Sequence, residues 1–315
     1  MGETPPTHRS GFVAICGRPN VGKSTLLNAL VGETVAVATA HPQTTRERLL
    51  GVWTRPEFQV VLVDTPGIHR ARSALNRFMV EQALRGARDV DLVLLLAEAP
   101  AVTDDAQAQA WEPGPVALEG LTALAALGRP LLLVLTKIDR LADRRHLLPI
   151  ITTWMRHHPF EAVVPTAALR GEGLDRLQAE VVDRLPPGPR YYDDEQLSDR
   201  NLRWHAAELV RAELFEHLGQ ELPYSCAVQV TAWKEQDDRD TVRATIYVER
   251  DSQKGMVIGK GGRTIKTLSV GARRRITALT GRPCDLMLSV DVARNWTRDP
   301  DTLPRLGYHD PEPLR

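Results

Sequence analysis

Residues 17–24 read GRPNVGKS and decide the fold, because this stretch matches the pattern G-x-x-x-x-G-K-[ST]. It follows the apolar run 12–16 and opens a helical pattern that begins at Lys23. Glycines let backbone N–H groups curl around phosphate oxygens, and the helix N-terminus adds partial positive charge. The stretch therefore predicts a phosphate-binding loop between a strand and a helix.

The residues downstream of this loop predict an α/β domain. Continuous runs rich in Val, Ile and Leu are typical of strands covered on both faces, and they lie at 58–63, 92–96, 131–135 and 162–164. Helical patterns follow at 76–87, 121–127 and beyond Gly173. This alternation predicts a doubly wound, mostly parallel sheet that binds ligands at the carboxyl ends of its strands. Segment 103–120, rich in Ala, Gln, Pro and Gly, is predicted to be an extended loop.

Composition narrows the class of protein. The chain has 315 residues, enough for two domains, and 43% of them are apolar. Its formal net charge is zero, so any nucleic-acid partner must bind a local patch. Three scattered cysteines argue against a disulfide framework and favour a reducing, cytoplasmic location. The first residues lack the apolar core of a signal peptide, and no apolar run is long enough to span a bilayer.

A second domain is predicted beyond the Pro- and Gly-rich segment 186–197. A helix over 198–218, with Ser198 as its N-cap, precedes two strands of alternating polarity. The first of these strands is predicted to place Val228, Val230 and Ala232 on one face. A short helix, a helix over 262–279 and a final strand then complete an α+β domain. The predicted boundaries are a flexible N-terminus (1–10), an α/β domain (11–185), a linker (186–197), an α+β domain (198–298) and a C-terminal tail (299–315).

The phosphate loop supplies two reactive side chains. Lys23 is predicted to contact the β- and γ-phosphates, and the Ser24 hydroxyl is predicted to bind Mg²⁺. The sequence DTPG at 64–67 follows the strand 58–63. Asp64 would hold Mg²⁺ through water, while the Gly67 N–H would meet the γ-phosphate. This order along the chain is that of a nucleoside triphosphate site.

A polar stretch between these motifs contains two threonines. Thr44 and Thr45 lie where a hydroxyl would complete the Mg²⁺ shell only when the γ-phosphate is present. An ordinary Thr-rich turn is the alternative. Which threonine binds Mg²⁺ is left open by the sequence, and we take Thr45 as the candidate.

Residues 136–139, TKID, predict selectivity for guanine. They follow the strand 131–135, and the Asp139 carboxylate would accept hydrogen bonds from guanine N1–H and the N2 amino group. Adenine offers neither donor, so against ATP the carboxylate would stay unpaired at a cost of ~1–3 kcal/mol. The Lys137 stem would cover the base, and the Ala168 N–H would donate to guanine O6.

These motifs give the candidate site residues. The predicted catalytic residues are Lys23, Thr45 and Gly67, and the predicted Mg²⁺ ligands are Ser24, Thr45 and, through water, Asp64. The predicted nucleotide-binding residues are Gly17, Arg18, Pro19, Asn20, Val21, Gly22, Lys23, Ser24, Thr25, Asp64, Thr65, Pro66, Gly67, Thr136, Lys137, Asp139, Ala167 and Ala168.

Residues 252–284 predict an RNA-binding surface. They hold eight Lys or Arg residues and no acidic residue, in a chain of zero net charge. The sequence GKGG at 259–262 matches G-x-x-G, whose glycines allow close approach to a sugar–phosphate backbone. A solvated basic helix surface is the alternative, and acidic residues would then be expected among the basic ones. The predicted RNA contacts are Lys254, Gly259, Lys260, Gly261, Gly262, Arg263, Lys266 and Arg273.

Taken in order, these motifs resemble the G1 to G5 motifs of translation-factor-class GTPases. The QTTR sequence at 43–46, and DTPG followed by Ile68 and His69, resemble the Era family specifically. The C-terminal element order resembles a type II KH domain. The resemblance covers nearly the whole chain. It implies a P-loop NTPase fold joined to a type II KH domain, with GTP or GDP and Mg²⁺ as ligands.

The resemblance also implies partners and a location. They are the 3′ region of 16S ribosomal RNA and the 30S ribosomal subunit, whose processing and assembly the protein would assist in a GTP-dependent way. The protein would be a cytoplasmic monomer in peripheral contact with the cytoplasmic face of the inner membrane, with no DNA partner.

Four positions bear on catalysis and on how well the chain fits the family pattern. Thr136 stands where G4 has Asn, which buttresses the phosphate loop, and Ala167 replaces the Ser of G5. Ile68 stands where Ras-like enzymes have the Gln that orients the attacking water, so slow intrinsic hydrolysis is expected. Asn20 resembles the asparagine with which Era-type GTPases hold K⁺. For this chain K⁺ binding is a hypothesis, and a hydrogen bond of Asn20 to its own loop is the alternative.

Three other functions fit part of these patterns. An ATPase or kinase would need a base site that selects adenine, and Asp139 argues against it. A KH adaptor with a structural G domain would bind nucleotide without turnover, whereas Lys23, Ser24 and Asp64 are intact. A tRNA-modifying relative would carry its G domain inside other domains and would lack a C-terminal KH domain.

Overall fold

The computed structural model describes residues 8–38, 45–68, 73–219, 221–309 and 314. They fall into two units. The first contains the described parts of 8–68 and 78–199 together with Leu314, and the second contains 73–77 and the described part of 200–309. Each unit has its own sheet and its own apolar core. No helix within the described residues is both long enough and apolar enough to cross a bilayer.

Six strands form the sheet of the first unit. They are β1 (Arg9–Gly17), β2 (Leu49–Arg55), β3 (Phe58–Asp64), β4 (Leu92–Glu98), β5 (Leu131–Thr136) and β6 (Ala162–Pro165). Their order is β2-β3-β1-β4-β5-β6, and every neighbouring pair is parallel except β2–β3. Strands β3 and β5 are buried along their whole length, as expected when both faces are covered. The predicted doubly wound, mostly parallel sheet is confirmed.

Six helices alternate with these strands. They are α1 (Lys23–Val31), α2 (Ala74–Gly86), α3 (Asp105–Ala110), α4 (Pro115–Ala125), α5 (Leu147–His157) and α6 (Leu174–Arg184). The helices bury apolar side chains against the sheet, among them Leu26 and Leu27 of α1 and Leu124 of α4. Strands β1, β3 and β5 each end where a predicted nucleotide motif begins. Because parallel strands end at one edge of a sheet, this topology brings the motifs together.

Strand β2 was missed by the sequence pattern. Its sequence, LLGVWTR, contains Gly51, which interrupts the apolar run. A Cβ at Gly51 would lie 3.0 Å from Leu27 of α1, so the glycine leaves room for that helix. The need for glycine at position 51 is set by packing against α1, so the local sequence does not reveal it.

The prediction of an extended loop over 103–120 is wrong, because α3 and α4 lie there. Helix α3 begins after Asp104, whose side chain accepts a hydrogen bond from the Gln107 N–H at 2.8 Å. Helix α4 begins after Gly114, with Pro115 as its first residue. Proline at this position sacrifices no helical hydrogen bond and already has a helical φ angle. The Pro-Gly-Pro sequence therefore starts a helix and does not mark a loop.

Segment 186–197, which its composition predicts to be a linker, is hydrogen-bonded to the first unit. The Gly188 N–H donates to His8 O at 3.0 Å. Gln59 Oε1 accepts from the N–H groups of Tyr191 and Tyr192, at 2.7 and 3.0 Å. Further along, the Val52 N–H donates to Leu197 O at 2.9 Å. The segment thus follows the strands of the first unit.

The second unit is an α+β domain. Its elements are α7 (Leu202–His217), β7 (Ala227–Glu235), β8 (Asp240–Val248), α8 (Asp251–Ile258), α9 (Arg263–Thr280) and β9 (Cys284–Val292). Strand β8 is central, antiparallel to β7 and parallel to β9. Leu214 of α7 and Leu268 and Ile276 of α9 are fully buried in the core of this unit. The predicted element order is confirmed.

Two local predictions in this unit are wrong. Helix α7 begins at Leu202, because the Asn201 side chain accepts a hydrogen bond from the Trp204 N–H at 3.0 Å and makes Asn201, not Ser198, the N-cap. Strand β7 has a register irregularity between Val230 and Ala232. The irregularity ends the simple alternation, so Ala232 is exposed and the next residue, Trp233, packs against the core.

Part of the predicted tail 299–315 belongs to the second unit. The indole of Trp296 is fully buried, and its N–H donates to Ser225 O at 2.9 Å. The Tyr308 ring stacks on it with 5.6 Å between the ring centroids. Leu303 and Leu306, which lie between these two residues in the sequence, are also buried. The chain therefore stays packed to Tyr308.

Candidate functional site

The loop between β1 and α1 has the backbone of a phosphate cradle. Asn20 and Gly22 adopt positive φ angles of 61° and 104°. No side chain caps the N-terminus of α1, so its first N–H groups remain available to an anion. A Cβ at Gly67 would lie 2.6 Å from Pro19 N, which means that only glycine lets the DTPG turn approach the loop this closely.

Lys23 is buried at the centre of this loop. Its Nζ donates to Arg18 O at 3.0 Å and lies 3.5 Å from Gly17 O. Burial lowers the pKa of Lys23, and the nearby Asp64 carboxylate acts in the opposite direction. The ammonium thus lies in the cradle, held by carbonyl groups, where phosphate oxygens would be stronger partners.

Three oxygen donors beside Lys23 fit a magnesium ion. Ser24 Oγ donates to Asp64 Oδ2 at 2.8 Å and lies 3.3 Å from Thr45 Oγ1. Asp64 Oδ1 is buried and has no hydrogen-bond partner within the described residues. Burial raises the pKa of Asp64 to about 6, although Lys23 and the Ser24 hydrogen bond lower it. A hard divalent cation with oxygen ligands would satisfy the orphaned oxygen and favour the carboxylate form. The other candidate threonine, Thr44, lies outside the described residues.

The end of β5 is fastened to the phosphate loop. The Thr136 hydroxyl, buried, donates to Val21 O at 2.7 Å, so threonine makes the buttressing contact expected of the family's asparagine. Lys137 adopts a positive φ of 57° and its Nζ donates to Asn20 O at 2.8 Å. The same ammonium pairs with Glu98 Oε2 at 2.9 Å. Two side chains of the TKID motif therefore hold the base and phosphate ends together.

The predicted base contacts lie at the neighbouring strand ends. The Asp139 side chain is 25% exposed, and Arg170 Nε lies 3.5 Å from its Oδ2. Ala168 begins a short 3₁₀ turn (Ala168–Arg170), so its N–H has no intrahelical acceptor. The Ala167 N–H instead donates to Glu172 O at 3.0 Å. The pairing of Asp139 and Ala168 with a guanine edge stays a prediction.

The remaining predicted nucleotide residues divide by environment. Thr65 is fully buried, and its hydroxyl donates to Ile15 O at 2.9 Å, so its side chain anchors the turn. Pro66 and Val21 are also buried. Thr25 lines a cavity beside the phosphate loop.

A cavity of about 630 Å³, within the range of small-ligand sites, lies beside the phosphate loop and Lys137, and neither Asp139 nor Ala168 lines it. Sequence reasoning missed four residues that line it, Ala38, Glu98, Arg140 and Leu169. Glu98 pairs with Lys137 and, at 3.1 Å, with Arg140. The signal that could have identified Glu98 is a charged residue at the carboxyl end of the buried strand β4.

The turn between α8 and α9 has the backbone predicted for an RNA contact. Gly259, Gly261 and Gly262 have φ angles of 74°, 60° and 75°. A Cβ at Gly259 would overlap Thr264 Oγ1, so no other residue fits there. Helix α9 begins after Gly262 without a side-chain cap, which leaves N–H groups for a phosphate.

The basic residues around this turn are of two kinds. Arg275 pairs with Glu213 at 2.8 Å and Glu216 at 2.6 Å, and Arg282 pairs with Asp240 at 3.2 Å. Segment 252–284 has no acidic residue, so helix α7 and strand β8 supply the acidic partners of these two arginines. The other basic residues form no ion pair within the described residues and make up the open basic surface: Lys254, Lys260, Arg263, Lys266, Arg273 and Arg274.

Comparison with known proteins agrees with both halves of this description. The family described as 50S ribosome-binding GTPase matches residues 12–137, and the KH domain family matches 221–297. The GTPase Era of Geobacter metallireducens is 43% identical over 302 residues, which are 95% of this chain and 98% of that protein. The GTPase Era of Nitratidesulfovibrio vulgaris is 40% identical over 314 residues, 97% of this chain and 99% of that protein.

Two solved structures of Era are similar over almost the whole chain. One is Aquifex aeolicus Era with a tyrosine replaced by alanine, bound to GDP·AlF4⁻; it has a TM-score of 0.88 and 33% identity and covers 95% of this chain and 99% of its own. The other is Era in complex with MgGDPNP and nucleotides 1506–1542 of 16S ribosomal RNA, with a TM-score of 0.88 and 33% identity, covering 96% and 99%. With a P-loop GTPase domain and a C-terminal KH domain, the chain belongs to the Era family of GTPases.

Proposed function

We propose that this GTPase is a nucleotide-controlled switch that binds the 3′ region of 16S ribosomal RNA and assists assembly of the 30S subunit. The observation that carries the proposal is the open basic surface around the α8–α9 turn, in a chain that also holds a complete G domain. The Era complex with nucleotides 1506–1542 of 16S ribosomal RNA supports the choice of RNA. The open surface offers exposed cations and free helix N–H groups, which are the donors that a phosphate backbone needs.

For hydrolysis, the chain's own residues bind and orient the triphosphate. Bound Mg²⁺ would neutralise charge on the β- and γ-phosphate oxygens. Ser24 and Thr45 would hold that ion directly and Asp64 through water, while Lys23 would contact the phosphates. Ile68 has no group that could orient the attacking water, so its side chain does not supply what glutamine supplies in Ras-like enzymes. Slow intrinsic turnover follows.

The Asn20 conformation supports K⁺ as an additional ligand. Asn20 adopts a positive φ in the phosphate loop and lines the nucleotide cavity. A K⁺ ion held there would place positive charge near the phosphates, where an arginine finger acts in other GTPases. GTP turnover is then faster in K⁺ buffer than in Na⁺ buffer of equal ionic strength, and Asn20→Ala removes the difference. Equal turnover in the two buffers contradicts this role.

On the basis of family membership, we propose a location and an assembly state. The protein acts in the cytoplasm as a monomer and contacts the inner membrane peripherally, without a DNA partner. Sedimentation of purified protein and fractionation of cells test these statements separately.

An RNA titration tests the main proposal. The probe is an RNA with the sequence of nucleotides 1506–1542, measured with a GTP analogue or with GDP bound. We expect tighter binding with the analogue, and loss of most affinity in Gly261→Asp, whose carboxylate would repel the phosphate chain. Arg239→Gln is the charge-matched control, because Arg239 pairs with Asp238 and Asp285 away from the turn. Equal binding by Gly261→Asp and wild type contradicts the proposal.

A further inference from the structure

Glu98 lies at the end of β4, next to the start of the TKID motif. Its register partner on β5 is Thr136, the residue before Lys137. The Ala99 N–H donates to Thr136 O at 2.9 Å, which fixes the two strand ends against each other. The Glu98 side chain is 41% exposed and lines the cavity beside the phosphate loop. The sheet thus places this carboxylate next to the residues that follow β5.

Both oxygens of the Glu98 carboxylate are paired. Oε2 lies 2.9 Å from Lys137 Nζ, and Oε1 lies 3.1 Å from the Arg140 guanidinium. Lys137 directly precedes a 3₁₀ turn (Ile138–Arg140), and Arg140 ends it. One carboxylate therefore fastens both ends of the turn that carries Asp139.

The turn needs such contacts because Lys137 adopts an unfavourable backbone conformation. Its φ angle of 57° lies in the left-handed region, which a residue with a Cβ keeps only where its surroundings hold it. The Lys137 ammonium is held by Glu98 and by Asn20 O, which accepts from Nζ at 2.8 Å. The Ile138 N–H donates to Thr166 O at 3.2 Å and holds the centre of the turn. Loss of the Glu98 carboxylate would remove one of the two acceptors of Lys137.

The charge of Glu98 does not suit a direct contact with the nucleotide. A carboxylate repels phosphate groups of the same sign. As a partly exposed ion pair, Glu98 also contributes little to folding stability. Its effect falls on Lys137 and Arg140, which would lose their shared partner without it.

We propose that Glu98 is a positioning residue for guanine recognition. By holding Lys137 and Arg140 it fixes the turn between them, so that the Asp139 carboxylate stays aligned with guanine N1–H and the N2 amino group. Glu98 acts through the turn and not by contact with the base. This role rests on the assignment of Asp139 to the base, and it adds the end of a third strand, β4, to the selection of guanine.

Calorimetric titration with GDP and with inosine diphosphate, both with Mg²⁺ in excess, tests the proposal. Inosine diphosphate lacks only the N2 amino group, so the ratio of the two affinities reports the hydrogen bond from that group to Asp139. Wild-type protein should bind GDP at least about tenfold more tightly, because hydrogen bonds to a charged acceptor are strong. In Glu98→Ala this ratio should fall by about three- to fivefold, the most that a partly exposed ion pair supports. Glu98→Gln keeps one acceptor oxygen and should give an intermediate ratio.

Glu112→Ala is the matched control. Glu112 also bridges two basic side chains of the first unit, with 2.9 Å to His157 and 3.4 Å to Arg156, but it does not line the cavity. Its removal should leave both affinities at their wild-type values. Thermal melting of each variant establishes that it is folded.

Two distinguishable results would overturn the proposal. If Glu98→Ala changes the affinities for GDP and inosine diphosphate by the same factor, or changes neither, Glu98 does not act on base recognition. If wild-type protein binds the two nucleotides equally, the assignment of Asp139 fails and the role of Glu98 fails with it. A ratio that falls in Glu98→Ala and not in Glu112→Ala is the expected result.

Discussion

The nucleotide site and the open basic surface use charge in opposite ways. In the nucleotide site the charged groups are engaged with one another and with the backbone: Lys23 with loop carbonyls, Asp64 with Ser24, and Lys137 with Glu98. On the open basic surface the cations have no acidic partner within the described residues, and Lys260, Arg263 and Lys266 are exposed. One region is buried and preorganised, and the other is solvated.

This difference predicts how each region responds to mutation and salt. Electrostatic interactions in a buried site are screened little by salt, so single substitutions there should have large effects that hold at all ionic strengths. Exposed cations act together through counterion release, so each should contribute little and in a salt-dependent way.

Removing the buried cation should have the largest effect. Lys23→Met keeps the length of the side chain but removes the ammonium that would contact the phosphates. We expect kcat/KM for GTP hydrolysis to fall by about 10²–10³ at both low and high salt. Because Asp64 loses a nearby opposite charge in this variant, thermal melting is measured as a control for folding. A fall of less than threefold would contradict the role of Lys23.

Changing the base-reading carboxylate should change specificity more than turnover. Asp139→Asn replaces an acceptor with an amide, and GTP affinity should fall by about 10- to 100-fold. Xanthosine triphosphate, which carries a carbonyl where guanine has its amino group, should then bind better than GTP. Asp143→Asn is a control at a half-buried aspartate nearby in sequence. Unchanged preference for GTP in Asp139→Asn is the outcome that contradicts the assignment.

Single cations of the open basic surface should have smaller effects that depend on salt. Lys266→Gln should lower RNA affinity a few-fold at low salt and reduce the slope of log K against log salt concentration by about 0.7. Arg239→Gln, which removes a cation already paired with Asp238 and Asp285, should leave the slope unchanged. Identical slopes for Lys266→Gln and wild type would remove Lys266 from the RNA contacts.

The smallest effect is expected at Arg170. Its guanidinium lies beside the Asp139 carboxylate, where it competes with a guanine edge. The Arg170 side chain is 67% exposed, and pairs with such an exposed partner contribute about 0–1 kcal/mol, so Arg170→Ala should raise GTP affinity by no more than about fivefold. Calorimetric titration measures the change, with Arg176→Ala as a surface control. A loss of affinity would mean that Arg170 helps to bind the guanine base and does not compete with it for Asp139.

The sequence predicted the parts of the molecule that depend on local pattern. The five parallel strands were found because each is a continuous apolar run, and the order of the motifs placed Lys23 and Asp139 at the same edge of the sheet, after β1 and β5. Strand β2 was missed because Gly51 interrupts its apolar run. This glycine is required by close packing against a side chain of α1. The start of helix α4 was missed, because Pro115 is also compatible with a turn and the predicted helical pattern covers only 121–127. In the first case the deciding contact lies elsewhere in the chain, and in the second the local sequence fits two structures.

The candidate site shows the same limit at single residues. From sequence, Thr136 is a shorter substitute for asparagine, whereas the structure places its hydroxyl 2.7 Å from Val21 O. The basic segment 252–284 has no acidic residue of its own, yet Arg275 is paired with Glu213 and Glu216 of α7. Residue type and spacing predicted which groups take part, and only the fold shows which of them are already paired.

The most direct test of the central claim is a calorimetric titration of the wild-type protein with GDP and with ADP, both with Mg²⁺ in excess. The claim is that the strand ends of the first unit hold a guanine nucleotide through Lys23 and Asp139. It predicts that GDP binds at least about tenfold more tightly than ADP at any ionic strength. Equal affinity for the two nucleotides, or no heat from GDP, would contradict the claim.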